Sequence, residues 1–462
     1  MTKLPVPLVG DGMLVPCTDG SAKPYVALDA AASTGALEAV LLRVQEFLPC
    51  YSSVHRGAGY KSHLATEAYE SARGAALSFA GRDGRDGRDD VAIICRNTTE
   101  AINHLAHSLR LGPEDNVVTS VVEHHANLLP WSRVAKCRYV ECRNDGTFTA
   151  DDVAAELDRS PRPRLLAITA ASNITGWMPP IEEIIEVAHR LEIPVAVDGA
   201  QLAPHRRLPT AADYVAWSGH KMYAPFGAGV LIGPRASFTD GDPFLAGGGA
   251  VDLVGLDEVV WSAPPEREEA GSPNVVGAVA LHAAIQTLTE IGWPAVTAHD
   301  REMGRAMREG LAAIQGVRLL GPALQVDTLP VATFNVAGVS HALVAARLSA
   351  EDGIGVRHGC FCAHPYLMRL LGLSDEEVTA FRNEVRRGDR TRLPGAVRAS
   401  VGINTTRADI DRLLEAVNRI ASGERAPVTY FQDPCTGDYF PDPDCAPWQA
   451  EERPPGSSCS SG

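Results

Sequence analysis

The stretch from Asp213 to Gly233, reading DYVAWSGHKMYAPFGAGVLIG, constrains this chain more than any other. Its apolar run from Tyr214 to Trp217 has the length of a strand buried on both faces, and it stops at Ser218-Gly219-His220-Lys221. A turn rich in Gly and Pro leads on into a second strand, Val230 to Ile232. A lysine is thereby set at a strand end in apolar surroundings, where lost hydration favours the neutral amine that forms Schiff bases. Taken alone, such a lysine reads as an ordinary loop residue. Twenty-three positions earlier, however, IPVAVDGAQ carries another buried run, Pro194 to Val197, that ends on Asp198. An acid at the carboxyl end of a parallel strand faces the crevice in which open α/β sheets bind their ligands.

Further strand-like runs begin near residues 91, 117 and 164, and with those near 194, 214 and 230 they alternate in several places with helical segments. That alternation predicts an α/β fold with a mostly parallel sheet covered on both faces. A dinucleotide site is the natural competitor on such a sheet. It fails because no strand leads into Gly-x-Gly-x-x-Gly, and Gly247-Gly248-Gly249 has the wrong spacing.

Residues with chemical capacity gather just after these strands. Arg96-Asn97-Thr98-Thr99-Glu100 opens a helix from Ala101 to Leu109, and Thr98 and Thr99 are suited to cap it and to offer its amino end to an anion. The strand from Asn116 to Val122 runs into Glu123-His124-His125-Ala126-Asn127, with Pro130-Trp131 beyond. Adjacent histidines on an extended segment point opposite ways, which argues against a shared metal ion. Ala171-Ser172-Asn173 closes the strand that starts at Arg164, and Gln201 follows Asp198 by three residues.

At 462 residues the chain is long enough for two structural lobes, and 45% hydrophobic content is that of a folded protein. A net charge of −15 argues against nucleic acid or an anionic membrane surface as partner. No run approaches ~20 uninterrupted apolar residues and the start lacks a signal-peptide pattern, so a cytoplasmic location is expected. Ten cysteines at irregular spacings then read as free thiols. GRDGRDGRDD, residues 81 to 90, reads as a solvated loop in which the charges nearly cancel.

VDGAQ followed by SGHKMYAPFGAGVLIG resembles the cofactor site of class V aminotransferase-fold enzymes, in the cysteine desulfurase and selenocysteine lyase branch. The resemblance covers about residues 25 to 422 and implies a pyridoxal 5'-phosphate enzyme of fold type I. On that likeness Lys221 holds the cofactor, flanked by Ser218 and His220, and Asp198 faces the ring nitrogen. Thr98 and Thr99 serve the phosphate, His124 stacks on the ring, and Asn173 and Gln201 lie beside the ring oxygen. Val54-His55-Arg56-Gly57 is similar to a family element near the substrate. Ser272, in Gly271-Ser272-Pro273, corresponds to a residue that reaches the partner's phosphate, which implies a homodimer.

From about residue 300 the pattern changes to helices and short antiparallel strands, including Val331 to Val336 and Val397 to Val401. Arg357-His358-Gly359-Cys360-Phe361-Cys362-Ala363-His364-Pro365 sits in this part, and a thiol beside Arg357, His358 and His364 is expected to favour its thiolate. Two cysteines one residue apart lack the second pair that a structural zinc site needs. The run resembles the family's Arg-x-Gly-x-x-Cys-Ala-x-Pro pattern, which makes Cys362 the sulfur acceptor. It departs in having Cys360 and Phe361 where two histidines are common. Val397-Arg398-Ala399-Ser400 is similar to the strand whose arginine clamps the substrate carboxylate, with Arg357 also at the substrate.

The expected organisation is therefore an N-terminal arm (1–30) joining the small domain, a large cofactor-binding domain (31–295), a small α+β domain (296–423) and a Pro/Asp/Ser-rich tail (424–462). The tail carries Cys435, Cys445 and Cys459 and reads as disordered or wrapped on the surface, with a thiol relay as the sharper alternative. The resemblance implies conversion of cysteine or a close analogue to alanine, with sulfur passed through Cys362 to a possible acceptor protein. Another class V reaction, a C–S β-lyase, epimerase or aminotransferase, is the alternative.

Overall fold

The computed structural model describes residues 4–84 and 87–442. A seven-stranded sheet forms its centre: β1 (Asp90–Cys95), β2 (Asn116–Ser120), β3 (Lys136–Val140), β4 (Leu165–Thr169), β5 (Val195–Asp198), β6 (Tyr214–Ser218) and β7 (Gly229–Pro234). The spatial order is β1-β7-β6-β5-β4-β2-β3. β7 pairs antiparallel with both β1 and β6, and the other neighbours are parallel. The strands read as unbroken apolar runs because each feeds two cores. In β4, Leu166 and Ile168 enter one cluster while Leu165 and Ala167 enter the other; Val215 and Trp217 of β6 likewise oppose Tyr214 and Ala216.

Helices α1 (Tyr60–Phe79), α2 (Thr98–Ser108) and α3 (Val275–Ile291) cover this sheet. α2 is capped by Asn97, whose side chain accepts from the Glu100 N–H, so Thr98 and Thr99 are its first helical residues rather than its caps. Asn97 has the same short acceptor as the threonines and sits one residue earlier. The 81–90 segment is also less solvated than its composition predicts. Arg82 and Asp90 form an ion pair at 2.8 Å with both side chains almost fully buried, and Arg82 Nε and Nη2 have no partner among the described residues.

A second sheet, β8 (Val317–Leu320), β9 (Val331–Val336), β10 (Arg357–Gly359) and β11 (Ala396–Ser400), is antiparallel in the order β8-β9-β11-β10. With α4 (His341–Asp352) and α6 (Arg407–Ala421) it encloses a separate cluster from Met303 to Ile420, joined by Val26 and Leu28 from the start of the chain. α5 (Asp375–Arg386) stands outside it, exposed along much of its length.

As far as Asp442 the chain beyond Gly423 wraps back onto the fold, and residues 443–462 of the tail lie outside the described residues. Residues 430–441 fold back as the hairpin β12 (Tyr430–Gln432) and β13 (Tyr439–Pro441). It is fastened by hydrogen bonds that composition does not reveal: Arg390 N–H to Pro434 O at 3.0 Å, Gln432 Nε2 to Thr391 O at 2.9 Å and Tyr430 OH to Glu351 at 3.0 Å. Asp438 on this hairpin pairs with His358 at 3.2 Å. Cys445 and Cys459 lie outside the described residues. No single helix among the described residues is long and apolar enough to cross a membrane.

Candidate active site

The carboxyl ends of β4, β5 and β6 and the amino end of α2 open onto one cavity of about 290 Å³, closed on its far side by residues of β10, β11 and the loop that follows β10. This is where an open α/β sheet binds ligands. Thr98, Thr99, His124, Asn173, Asp198, Gln201, Ser218, His220, Lys221, Arg357, Cys362 and Arg398 all line it. His55 and Ser272 do not. His55 bonds Glu70 at 2.7 Å and packs on Tyr69 of α1, and Ser272 is exposed on a loop before α3.

Lys221 follows β6 in a single 3-10 turn, Gly219–Lys221. Burial pushes its ammonium down to about 8, against the pull of Asp198, with Arg398 pushing the same way as burial. Asp198 ends β5, and its Oδ1 accepts the Ala200 N–H at 2.9 Å. Burial raises its carboxyl, while that hydrogen bond and Lys221 oppose the rise. The result is an acid and an amine facing one cavity with little water to screen them.

At the α2 end, Thr98 donates its N–H to Ser218 Oγ at 2.8 Å and shares a 2.6 Å hydroxyl contact with the same atom. The Thr99 N–H has no partner among the described residues, as expected for the second position of a helix. An anion at this end would meet that donor, two threonine hydroxyls and the positive end of the helix dipole.

His124 is held neutral. Burial, with Lys221, His125 and Arg398 adding to it, drives its pKa down to about 3, and its Nδ1 accepts the Ala126 N–H at 3.0 Å. Behind it Glu123 is buried, its carboxyl raised to about 8 by desolvation against hydrogen bonds from Ser120 and Asn127. Asn127 in turn accepts from Trp131 Nε1 at 3.0 Å. The Glu-His-His-x-Asn-x-x-Pro-Trp run is thus one network that fixes the segment carrying His124.

Arg398 is buried on β11 and donates to Asn173 O and Asp29 Oδ1, each at 2.9 Å. Arg357 reaches the other Asp29 oxygen at 3.0 Å, so a single carboxylate holds both guanidiniums. Asp29, which the sequence analysis did not single out, lies two residues after the short strand Val26–Ala27 and is the group that ties the two arginines together. The Arg398 guanidinium also stacks over the Phe361 ring at 5.0 Å.

Phe361 and Cys362 both adopt left-handed backbone conformations, φ 55° and 54°, that side-chain-bearing residues avoid. Hydrogen bonds hold the loop in this state: Asn173 Nδ2 to Phe361 O at 2.6 Å, His125 N–H to Cys362 O at 2.8 Å, and Ala363 N–H to Cys360 O at 3.0 Å. His125 and His364 stack at 5.0 Å beside it. The loop turns sharply between Cys360 and Cys362. Cys362 is exposed and lines the cavity, whereas Cys360 does not, and burial raises its thiol. The charges around Cys362 also differ from its sequence neighbours, for Lys221 and Arg398 couple to it electrostatically while His358 is engaged by Asp438.

Asn173 and Gln201 donate from their amide nitrogens to Phe361 O and Ala31 O, at 2.6 and 2.7 Å. Among the described residues, no three His, Cys, Asp or Glu side chains are arranged to hold a metal ion.

Comparison with known proteins agrees with this geometry. The model of the family described as aminotransferase class-V matches residues 26–413. A probable cysteine desulfurase of Halalkalibacterium halodurans is 35% identical over 408 residues, 86% of this chain and 93% of that protein. A cysteine desulfurase of Dickeya dadantii is 34% identical over 86% of this chain and 92% of its own. Among solved structures, a cysteine desulfurase from Escherichia coli in an S-sulfonic acid form superposes with a TM-score of 0.72 at 32% identity, over 86% of this chain and 95% of that one. The apo cysteine desulfurase of Thermococcus onnurineus gives a TM-score of 0.75 at 29% identity with the same coverage. A lysine and an acid at the ends of adjacent parallel strands, with this match spanning most of the chain, lead to one conclusion: the chain belongs to the aminotransferase class-V family.

Proposed function

We propose that this protein is a pyridoxal phosphate-dependent cysteine desulfurase that converts L-cysteine to L-alanine and leaves the sulfur on Cys362. The observation that carries the reading is that Lys221, Asp198, Arg398 and Cys362 line one cavity of about 290 Å³. The relatives that match most of the chain are named cysteine desulfurases, in keeping with it.

The cavity's donor set suits pyridoxal phosphate. The unpartnered Thr99 N–H with the two threonine hydroxyls suits a phosphate, and the buried Asp198 carboxylate suits a protonated ring nitrogen. When bound, the cofactor withdraws electrons from the substrate's Cα. Lys221, its ammonium lowered to about 8 by burial, attaches the cofactor and moves the proton at Cα. Neutral His124 is free to lie against a ring without bringing a second charge. Arg398 keeps N–H donors beyond those given to Asn173 and Asp29, and these clamp the substrate carboxylate. Arg357 reinforces that pocket through the shared Asp29. The Cys362 thiolate, with Lys221 and Arg398 as its cationic neighbours, attacks the substrate sulfur.

Ser272, outside this chain's cavity, is the residue we assign to the phosphate of a partner copy, so the active form is a homodimer. The exposed apolar side chains of Leu253, Val254 and Leu256 nearby suit such an interface. Sulfur then passes to an acceptor beyond Cys362, and the cell interior is the proposed location. The proposed domain division is an arm to residue 30, a cofactor domain to 295, a small domain to 423 and the tail. Incubating the pyridoxal phosphate-loaded protein with L-cysteine tests the reading: alanine is expected, and pyruvate with ammonia would establish a β-lyase instead.

A further inference from the structure

A second cavity of about 590 Å³ lies on the other side of the Cys362 loop. It shares Arg357, Phe361 and Cys362 with the first cavity, so Cys362 stands at the boundary of both. Its apolar wall comes mainly from Met368 and from Val378, Phe381 and Val385 of α5. Opposite them the C-terminal hairpin supplies Gln432, Thr436, Gly437 and Asp438. This volume is in the range of small-molecule sites.

The charge in this cavity is one-sided. Arg382 and Arg390 line it, and neither has a carboxylate partner among the described residues. Asp438 is the one acid in its lining and is engaged by His358. The Arg390 guanidinium donates to the Cys435 carbonyl, at 2.8 Å. An apolar wall with two unneutralised guanidiniums selects a molecule with an apolar body and an anionic group.

We propose that this cavity binds a small anionic thiol and presents it to Cys362 as the acceptor of the transferred sulfur. The inference rests on the desulfurase reading for its chemistry. The thiolate of the acceptor attacks the outer sulfur of the Cys362 persulfide. A new S–S bond forms to the acceptor, the S–S bond to Cys362 breaks, and the electron pair leaves on Cys362 Sγ. The persulfide proton stays with the transferred sulfur, so no external oxidant or reductant is consumed. The hairpin is then a functional wall of the protein, and Asp438 is a positioning residue that orients His358 within it.

The test uses the full-length chain loaded with cofactor. Calorimetry with 4-methylbenzoate, which cannot react, measures the site directly, with 4-methylbenzamide as its neutral isostere. The acid is expected to bind at least about tenfold more tightly than the amide, and R382E combined with R390E should abolish that preference. V385W, which fills the cavity from α5, should weaken both. Sulfur transfer from cysteine-treated enzyme to 4-mercaptobenzoate should likewise outpace transfer to 4-mercaptobenzamide by about tenfold, through KM rather than kcat. Equal binding of acid and amide, or binding indifferent to the substitutions, overturns the proposal. If L-cysteine yields pyruvate, the desulfurase reading and the transfer step both fall, whereas the benzoate measurement still decides whether the cavity is an anion site.

Discussion

Replacing Lys221 by methionine in protein stripped of cofactor should make the fold more stable, and by an amount that depends on pH. Burial lowers the Lys221 ammonium from 10.5 to about 8. In the unfolded chain the ordinary value applies, and each unit of difference corresponds to about 1.36 kcal/mol. Below pH 8 both states carry the charge and the folded state bears the whole desolvation cost, about 3 kcal/mol. Between pH 8 and 10.5 the folded amine is already neutral while the unfolded one still holds its proton, so the cost fades, to under about 1 kcal/mol at pH 10. Methionine fills similar space without charge. It also removes the cation that lowers the Asp198 carboxyl, which takes back part of the gain, so K221M alone should stabilise by about 1–3 kcal/mol at pH 7. Adding D198N removes that offset. Urea unfolding of the wild type, K221M and the double variant at pH 7 and pH 10 measures the differences. A K221M protein no more stable than the wild type at pH 7, or a gain that does not shrink by pH 10, would refute the idea that burial lowers the Lys221 ammonium.

C362A should lose alanine formation in a single turnover while retaining cofactor absorbance, and C360A should be milder because Cys360 lines only the outer cavity. R398K should raise the KM for cysteine about ten- to hundredfold, since an ammonium cannot serve Asn173, Asp29 and a substrate carboxylate at once; steady-state kinetics read this directly. D29N should lower unfolding free energy by about 1–3 kcal/mol, because two guanidiniums lose their shared counter-charge. Deleting residues 425–462 should leave cofactor uptake intact, followed by absorbance, since the hairpin contributes nothing to the first cavity.

The first cavity was readable in the sequence because many of its residues sit at the ends of buried strands. Unbroken apolar runs such as Leu165–Thr169 show where the sheet is, and whatever polar residue follows must face the crevice. Lys221, Asp198 and His124 were found this way. Asp29 was not, because its meaning lies in two arginines, one of them 369 positions away, and no local pattern reports that contact. The left-handed turn at Phe361-Cys362 was equally hidden, since glycine usually marks such a turn and here tertiary hydrogen bonds impose it. Between residues 424 and 442 composition leaves disorder and surface wrapping equally open, because the hairpin is held by backbone groups of Arg390 and Thr391 that composition cannot show.

The most direct test of the account is mass spectrometry of cofactor-loaded protein treated with L-cysteine and no acceptor. One added sulfur on the peptide carrying Cys362, formed in step with one alanine and absent in C362A, is the predicted result. An unmodified peptide with continued release of sulfide and pyruvate would contradict it.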